Sequence, residues 1–191
     1  MIFYQVFQRL KHQVQIDKKL IKKVIKGDRR SQLELYHLCF NNLMNSAYRY
    51  YKNEEDAVSV SNAAFLKIVT KLDTYQDKVP FKAWIKRIVL NEIIDEYRRN
   101  KKRNDLIVPI SENQKVETQI PEVYYDVETE YLENMLSELP KATRTVFVLY
   151  VIEGFSQKEI SNKLMITKET TKWHLREARK RLRIMLTKDK S

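Results

Sequence analysis

Five cations, Lys168, Lys172, Arg176, Arg179 and Arg183, recur at spacings of three and four near the end of the chain. On a helix turning about 100° per residue they fall within about 80° of arc. A row of ammonium and guanidinium groups donates to phosphate oxygens, and Lys or Arg can also donate to N7 and O6 of guanine. Thr171, Leu175, Ala178, Leu182 and Met185 make a second face whose centre lies roughly 100° from the first. One face can be buried while its neighbour meets a polyanion. Trp173 sits beside the basic row, where an indole can touch sugar or a thymine methyl. Bond-making chemistry is not prepared in the same way. His12, His37 and His174 lie in separate segments without metal-binding spacing, and Cys39 has no evident histidine partner. With two glycines in the chain there is no phosphate-cradling loop. The sequence predicts a protein that is not an enzyme, with no catalytic residues, metal, cofactor or small-molecule substrate.

The basic row needs an element to aim it. Ser156 followed by Glu159 is a capping box, in which hydroxyl and carboxylate each take one free amide at a helix start. Ile160 and Leu164 share a face at i, i+4, and the pattern stops near Met165, with Ile166 under the turn. Thr167 is a second cap, and nothing interrupts a helix from there to about Leu186. Two short helices across a tight turn, the second cationic, are the layout of a helix-turn-helix that enters the major groove.

Bulk composition agrees. The chain has 191 residues, 36 Lys+Arg against 25 Asp+Glu, a net charge of +11 and a pI near 9.6. That length allows one domain or two small ones, and the charge favours nucleic acid or an anionic membrane. Residues 1–103 carry 22 basic and 11 acidic side chains, residues 104–140 one and nine, and residues 141–191 13 and five. Two basic blocks therefore flank an acidic segment, whose stretch 105–128 has Pro109 and Pro121 and no sustained helical period. No leader pattern opens the sequence, and the longest strongly apolar run, residues 146–152, is too short to span a bilayer. A single cysteine fits a reducing compartment. These features predict a soluble, cytoplasmic, nearly all-helical protein.

In the N-terminal block, Leu20, Ile21, Val24 and Ile25 begin a helix that Gly27 closes. A second is expected over residues 31–51, with Leu35, Leu38, Leu43, Ala47 and Tyr50 inward. A third runs from a cap at Asn53 or Glu54 to Lys71, burying Ala57, Val60, Ala64, Phe65, Ile68 and Val69. Pro80 starts a fourth, with Phe81, Trp84, Ile85, Ile88 and Val89 inward, turning basic through Asn91, Asp95, Arg98, Arg99, Lys101, Lys102 and Arg103.

These segments resemble the extracytoplasmic-function sigma factors of bacterial RNA polymerase. In the first half the resemblance rests on Tyr48-Arg49-Tyr50, Asn53-Glu54-Glu55-Asp56-Ala57, Ala64-Phe65-Leu66-Lys67-Ile68 and Pro80-Phe81-Lys82-Ala83-Trp84-Ile85. Arg87-Ile88, Asn91, Ile94-Asp95 and Tyr97-Arg98-Arg99 follow. In the second half it rests on Leu139-Pro140, Val146-Phe147, Glu153-Gly154-Phe155-Ser156, Lys158-Glu159-Ile160, Thr170, Lys172, Leu175 and Ala178-Arg179. It covers roughly residues 18–186 in order. The resemblance implies an all-α chain of two small helical domains joined by an acidic linker. A four-helix domain over 18–103 would open the −10 element. A linker over 104–128 and a helix-turn-helix domain over 129–191, reading the −35 element, would follow it. Residues 1–17, where Ile2, Phe3, Val6, Phe7 and Leu10 could make an amphipathic helix, extend beyond the resemblance.

The partners the resemblance implies are promoter DNA and RNA polymerase core, through a coiled coil of its largest subunit and its flap. An anti-sigma factor is the regulatory partner it raises. For the −35 element it points to Lys172, Trp173 and Arg176, with Lys168, Arg179 and Arg183 as phosphate anchors. For the −10 element it points to Asn91 and the loop carrying Tyr75 and Lys78, with Lys86, Arg87, Arg98 and Arg99 on the backbone. Tyr75 would either wall a base pocket or anchor its loop. For polymerase it points to Tyr48, Asp56, Asn62, Phe65 and Lys67. Three departures stand out: Val58, Ser59 and Ala63 where many members are acidic, Met165 at the usual turn glycine, and Thr171 at a buried aliphatic position. The rival reading is a stand-alone regulator of the response-regulator type, suggested by Thr170-Thr171-Lys172 and His174. That reading requires an α/β first half.

Overall fold

The computed structural model describes residues 16–105 and 127–188; residues 1–15, 189–191 and 106–126, most of the linker expected over 104–128, lie outside the described residues, while the two ends of that expected linker belong to helices. Asp17 opens α1 (Lys18–Ile25) by accepting from the Lys19 amide at 2.9 Å. The helix closes in a Schellman arrangement: Gly27, at φ +82°, donates to the Val24 carbonyl and Asp28 to that of Lys23. Asp28 then caps α2 (Arg29–Tyr48), taking the Ser31 amide at 2.9 Å and its hydroxyl. Those bonds from Ser31 hold the Asp28 carboxyl below the usual carboxylate range.

α2 ends three residues before the expected boundary. The chain tightens there, with the Tyr50 and Tyr51 amides both donating to the Ala47 carbonyl, and both rings turn into the core. Leu35, Leu43 and Ala47 are buried as expected, and Cys39, Phe40 and Met44 join them. Asn53 caps α3 (Glu54–Thr70) through the Asp56 amide at 2.7 Å, and three acids in the first turn favour the positive end of the helix dipole. A 3₁₀ turn, Leu72–Thr74, leads to a loop and then α4 (Phe81–Asp105). Pro80 is the residue before that helix, and its carbonyl accepts the first helical bonds from Ala83 and Trp84. α2, α3 and α4 pack pairwise, and α1 lies on α2. At 25 residues α4 is a rod of about 37 Å.

The second half comprises α5 (Val127–Ser137), α6 (Lys141–Val151), α7 (Gln157–Leu164) and α8 (Lys168–Lys188). Its core gathers Leu136, Leu139, Val146, Val148, Leu149, Ile160, Leu164, Leu175 and Ala178. Arg144 fixes the α5–α6 corner from within. It is buried, and its guanidinium donates to the carbonyls of Ser137 and of Leu139, the latter at 3.2 Å. All the described elements are helical, in both halves, which removes the α/β first half required by the rival reading. No described helix is long and apolar enough to cross a membrane.

Candidate nucleic-acid and polymerase interface

The capping box at α7 is present in both directions. Glu159 Oε2 accepts from the Ser156 amide at 2.8 Å, and Ser156 Oγ accepts from the Glu159 amide at 3.3 Å. α7 ends at Met165, whose φ of 53° and ψ of 45° are left-handed. The Ile166 amide closes the turn on the Ser161 carbonyl at 3.1 Å. A side chain in that region costs about 1–2 kcal/mol. Met165→Gly is therefore expected to raise the stability of this half by about 1 kcal/mol, read as a higher melting temperature. An unchanged or lower midpoint would show the strain is already relieved.

Thr167 caps α8 through the Thr170 amide at 3.0 Å. Thr171, fully buried, donates its hydroxyl to the Thr167 carbonyl at 3.1 Å, the backbone partner such a substitution requires. His174 is buried too, and its Nδ1 shares a 3.0 Å hydrogen bond with the Thr143 hydroxyl, tying α8 to α6. Burial holds the imidazole below its usual range, so the folded chain keeps it neutral. The unfolded chain takes up that proton more readily. Its stabilising contribution is thus complete above about pH 6.5 and drains away as the pH falls below that value. Thermal midpoints should drop with acid in that window, and His174→Gln should flatten the drop. Parallel pH profiles in the two proteins would locate the titrating group elsewhere.

With that face buried, the cations are presented outward. Lys168, Lys172, Arg176, Arg179 and Arg183 are all exposed. Trp173 is 53% exposed, its ring set edge-on to His174 at 4.9 Å rather than packed under α7. Between the start of α7 and α8 lies a groove of about 310 Å³ lined by Gln157, Glu169, Lys172, Leu175, Arg176 and Arg179.

The residues singled out in the first half are less uniform. Arg87, Asn91 and Lys78 are exposed. Tyr75 packs against Phe81 and Trp84 with centroids 5.2 and 5.3 Å away, and its hydroxyl donates to the Val79 carbonyl at 2.9 Å. That geometry anchors the loop. Arg99 pairs with Glu92 at 3.0 Å, and Lys86 and Arg98 are engaged by the second half of the chain.

On α3, Asp56 is exposed and Asn62 accepts from the Tyr36 hydroxyl at 3.2 Å. Phe65 meets the Tyr36 ring edge-on at 5.0 Å. Lys67 bridges Glu92 and Asp95, while Tyr48, at the end of α2, is half-buried. Of the three positions where many members are acidic, Val58 is buried, Ser59 exposed and Ala63 half-buried. Two residues escaped the sequence reading. Leu66 is 66% exposed amid this surface. Glu92 is buried, and although burial opposes its ionisation, the bonds from Lys67 and Arg99 prevail and hold its carboxyl below the usual range.

Sequence profiles for Sigma-70 region 2 and Sigma-70, region 4 match residues 35–103 and 129–182. Over 122 residues the chain is 31% identical to the RNA polymerase sigma factor SigZ of Bacillus subtilis (strain 168), covering 64% of this chain and 68% of that protein. The chain belongs to the sigma-70 family. It is also 28% identical, over 180 residues, to the ECF RNA polymerase sigma factor SigW of the same bacterium, with 88% of this chain and 96% of the relative covered. The sigma factor RpoE of Bartonella quintana, solved in complex with the anti-sigma factor NepR, matches at 20% identity and a TM-score of 0.46, covering 81% of this chain and 96% of that one. The match to SigW places this sigma factor in the extracytoplasmic-function subfamily. As such it binds RNA polymerase core and promoter DNA and directs promoter-specific initiation.

Proposed function

We propose that α8 reads the −35 element in the major groove, Lys172, Trp173 and Arg176 meeting base edges while Lys168, Arg179 and Arg183 hold phosphate. The observation that carries this reading is the division of α8 into a buried face, locked by Thr171 and His174, and an exposed cationic one. α4 and the loop before it take the −10 element. Asn91 and Lys78 meet the opened strand, and Lys86, Arg87, Arg98 and Arg99 hold its backbone. Tyr75 contributes by fixing the loop through its bond to Val79. Tyr48, Asp56, Asn62, Phe65 and Lys67 form the polymerase-docking surface, to which the exposed Leu66 adds an apolar contact. The two working domains are residues 18–103 and 129–191, joined by a linker over 104–128, a division supported by the family matches to 35–103 and 129–182. The chain works in the cytoplasm without a catalytic centre of its own, and all chemistry remains with the polymerase.

The test is transcription of bacterial genomic DNA by purified core polymerase with and without the chain, mapping RNA 5′ ends. New start sites sharing two upstream elements support the reading, and an unchanged map refutes it. Within that assay Asn91→Ala should spare initiation on a pre-opened template and reduce it about 10-fold on closed duplex, since unstacking a base costs a few kcal/mol. Equal loss on both templates would remove Asn91 from strand opening.

A further inference from the structure

One buried carboxylate on α4 serves two helices and two exposed cations. The Glu92 side chain is only 5% exposed, and its oxygens face Lys67 Nζ, from α3, and Arg99 Nη2 at 3.0 Å, from two turns further along α4. The side chains of Lys67 and Arg99 are 41% and 59% exposed. Lys67 also lies 3.5 Å from Asp95, which pairs with Arg98 at 3.8 Å. Three cations thus share two acids, and one positive charge is left over at the surface. A carboxylate taken out of water without partners is too costly to keep charged. Burial opposes the ionisation of Glu92, and the bonds from Lys67 and Arg99 overcome it.

From residue 92 to residue 99 a helix rises about 10 Å. Arg99 therefore does not hang free beside its own turn. Its bond to Glu92 draws the guanidinium back along α4, toward the turn that carries Asn91. An unanchored arginine loses rotamer freedom when it meets a phosphate, and that loss weakens binding. Arg99 is ordered beforehand. A guanidinium has five N–H donors in a rigid fork, and Glu92 engages only Nη2. The donors that remain can serve phosphodiester oxygens in a direction the carboxylate has set. Because Lys67 balances the charge of Glu92, Arg99 keeps its own for the strand.

We propose that Glu92 is a positioning residue, braced by Lys67 from α3, that presents Arg99 to the phosphates of the opened strand. The proposal rests on the reading in which Arg99 holds that strand's backbone. Lys67 belongs to the surface assigned to polymerase and Arg99 to the one assigned to DNA. The buried carboxylate is thus a point where the two surfaces share one charge.

The test uses core polymerase with the full chain, purified as the complex so that a changed affinity for core does not enter. Binding to a fluorescein-labelled promoter duplex with a pre-opened −10 stretch, taken from the mapped start sites, is measured by anisotropy. Arg99→Ala should weaken it about tenfold. Glu92→Gln, close in volume, should weaken it about fivefold, the effect of ordering one arginine afresh. In the Arg99→Ala background Glu92→Gln should change binding within about twofold, whereas a purely structural loss would persist there. Arg99→Lys leaves Glu92 in place and keeps the charge but lacks the fork, and should also lose about fivefold. If Glu92→Gln fails to assemble with core, Arg99→Lys decides alone. With Arg99→Ala weakened as expected, native-like binding by Arg99→Lys or Glu92→Gln, or additive losses in the double variant, would overturn this inference alone. If Arg99→Ala binds as tightly as the native chain, or the chain redirects no initiation, the promoter reading falls and takes this inference with it.

Discussion

Arg176→Ala is expected to weaken binding to a preferred promoter duplex by about 1–3 kcal/mol, roughly 5- to 150-fold. Arg176 is exposed on the outward face of α8, lining the groove beside α7, where a guanidinium can reach a guanine edge in two-pronged fashion. A salt titration separates the roles. Native binding that neutralises about six phosphates falls with a log–log slope near −5. Arg179→Ala should lower that slope by about one and weaken all sequences alike, whereas Arg176→Ala should erase preference among sequences. Competition between preferred and scrambled duplexes measures the difference. Equal loss on both for Arg176→Ala would make it a phosphate contact.

The second large effect falls on folding. Arg144→Met should destabilise the C-terminal half by about 2–4 kcal/mol, because it removes the donor from one buried and one part-buried carbonyl and leaves both without it. Ser137 and Leu139 are those carbonyls, and they hold the end of α5 against the start of α6. The measurement is thermal or urea unfolding followed by tryptophan fluorescence in a Trp84→Phe background, where Trp173 alone reports on this half. Methionine keeps most of the side-chain volume, so a large loss identifies the hydrogen bonds as its source. A midpoint shift of less than about 2 °C would mean that water or a neighbour replaces the guanidinium.

What the sequence disclosed depended on how local the physics is. The capping box of Ser156 and Glu159, the left-handed turn at Met165 and the back-bonded hydroxyl of Thr171 each involve residues within four or five positions. The turn at Met165 and the buried position of Thr171 are expected from the resemblance to sigma factors, while residue type and spacing suffice for the capping box. The buried rows of α2, α3 and α4 were legible for the same reason, through helical period. The Glu92 cluster was hidden because Lys67 comes from another helix, 25 positions away, and polar residues give no periodic signal when buried. The seam of Lys86 with Glu153 was hidden more deeply, since pairing across 67 positions leaves no trace in either segment. The early end of α2 was missed because Tyr50 and Tyr51 look like a continuing apolar row, while their amides both fold back on Ala47.

The sole thiol of the chain, Cys39, is wholly enclosed in the first half, and its environment pushes its pKa up to about 12. At pH 8 roughly one molecule in ten thousand would carry the reactive anion there, and contact with solvent is absent as well. That thiol is thus chemically silent toward maleimides while the protein is folded. A cysteine introduced anywhere on the surface would be the single reactive handle, with no need to remove the natural one from beneath its neighbours.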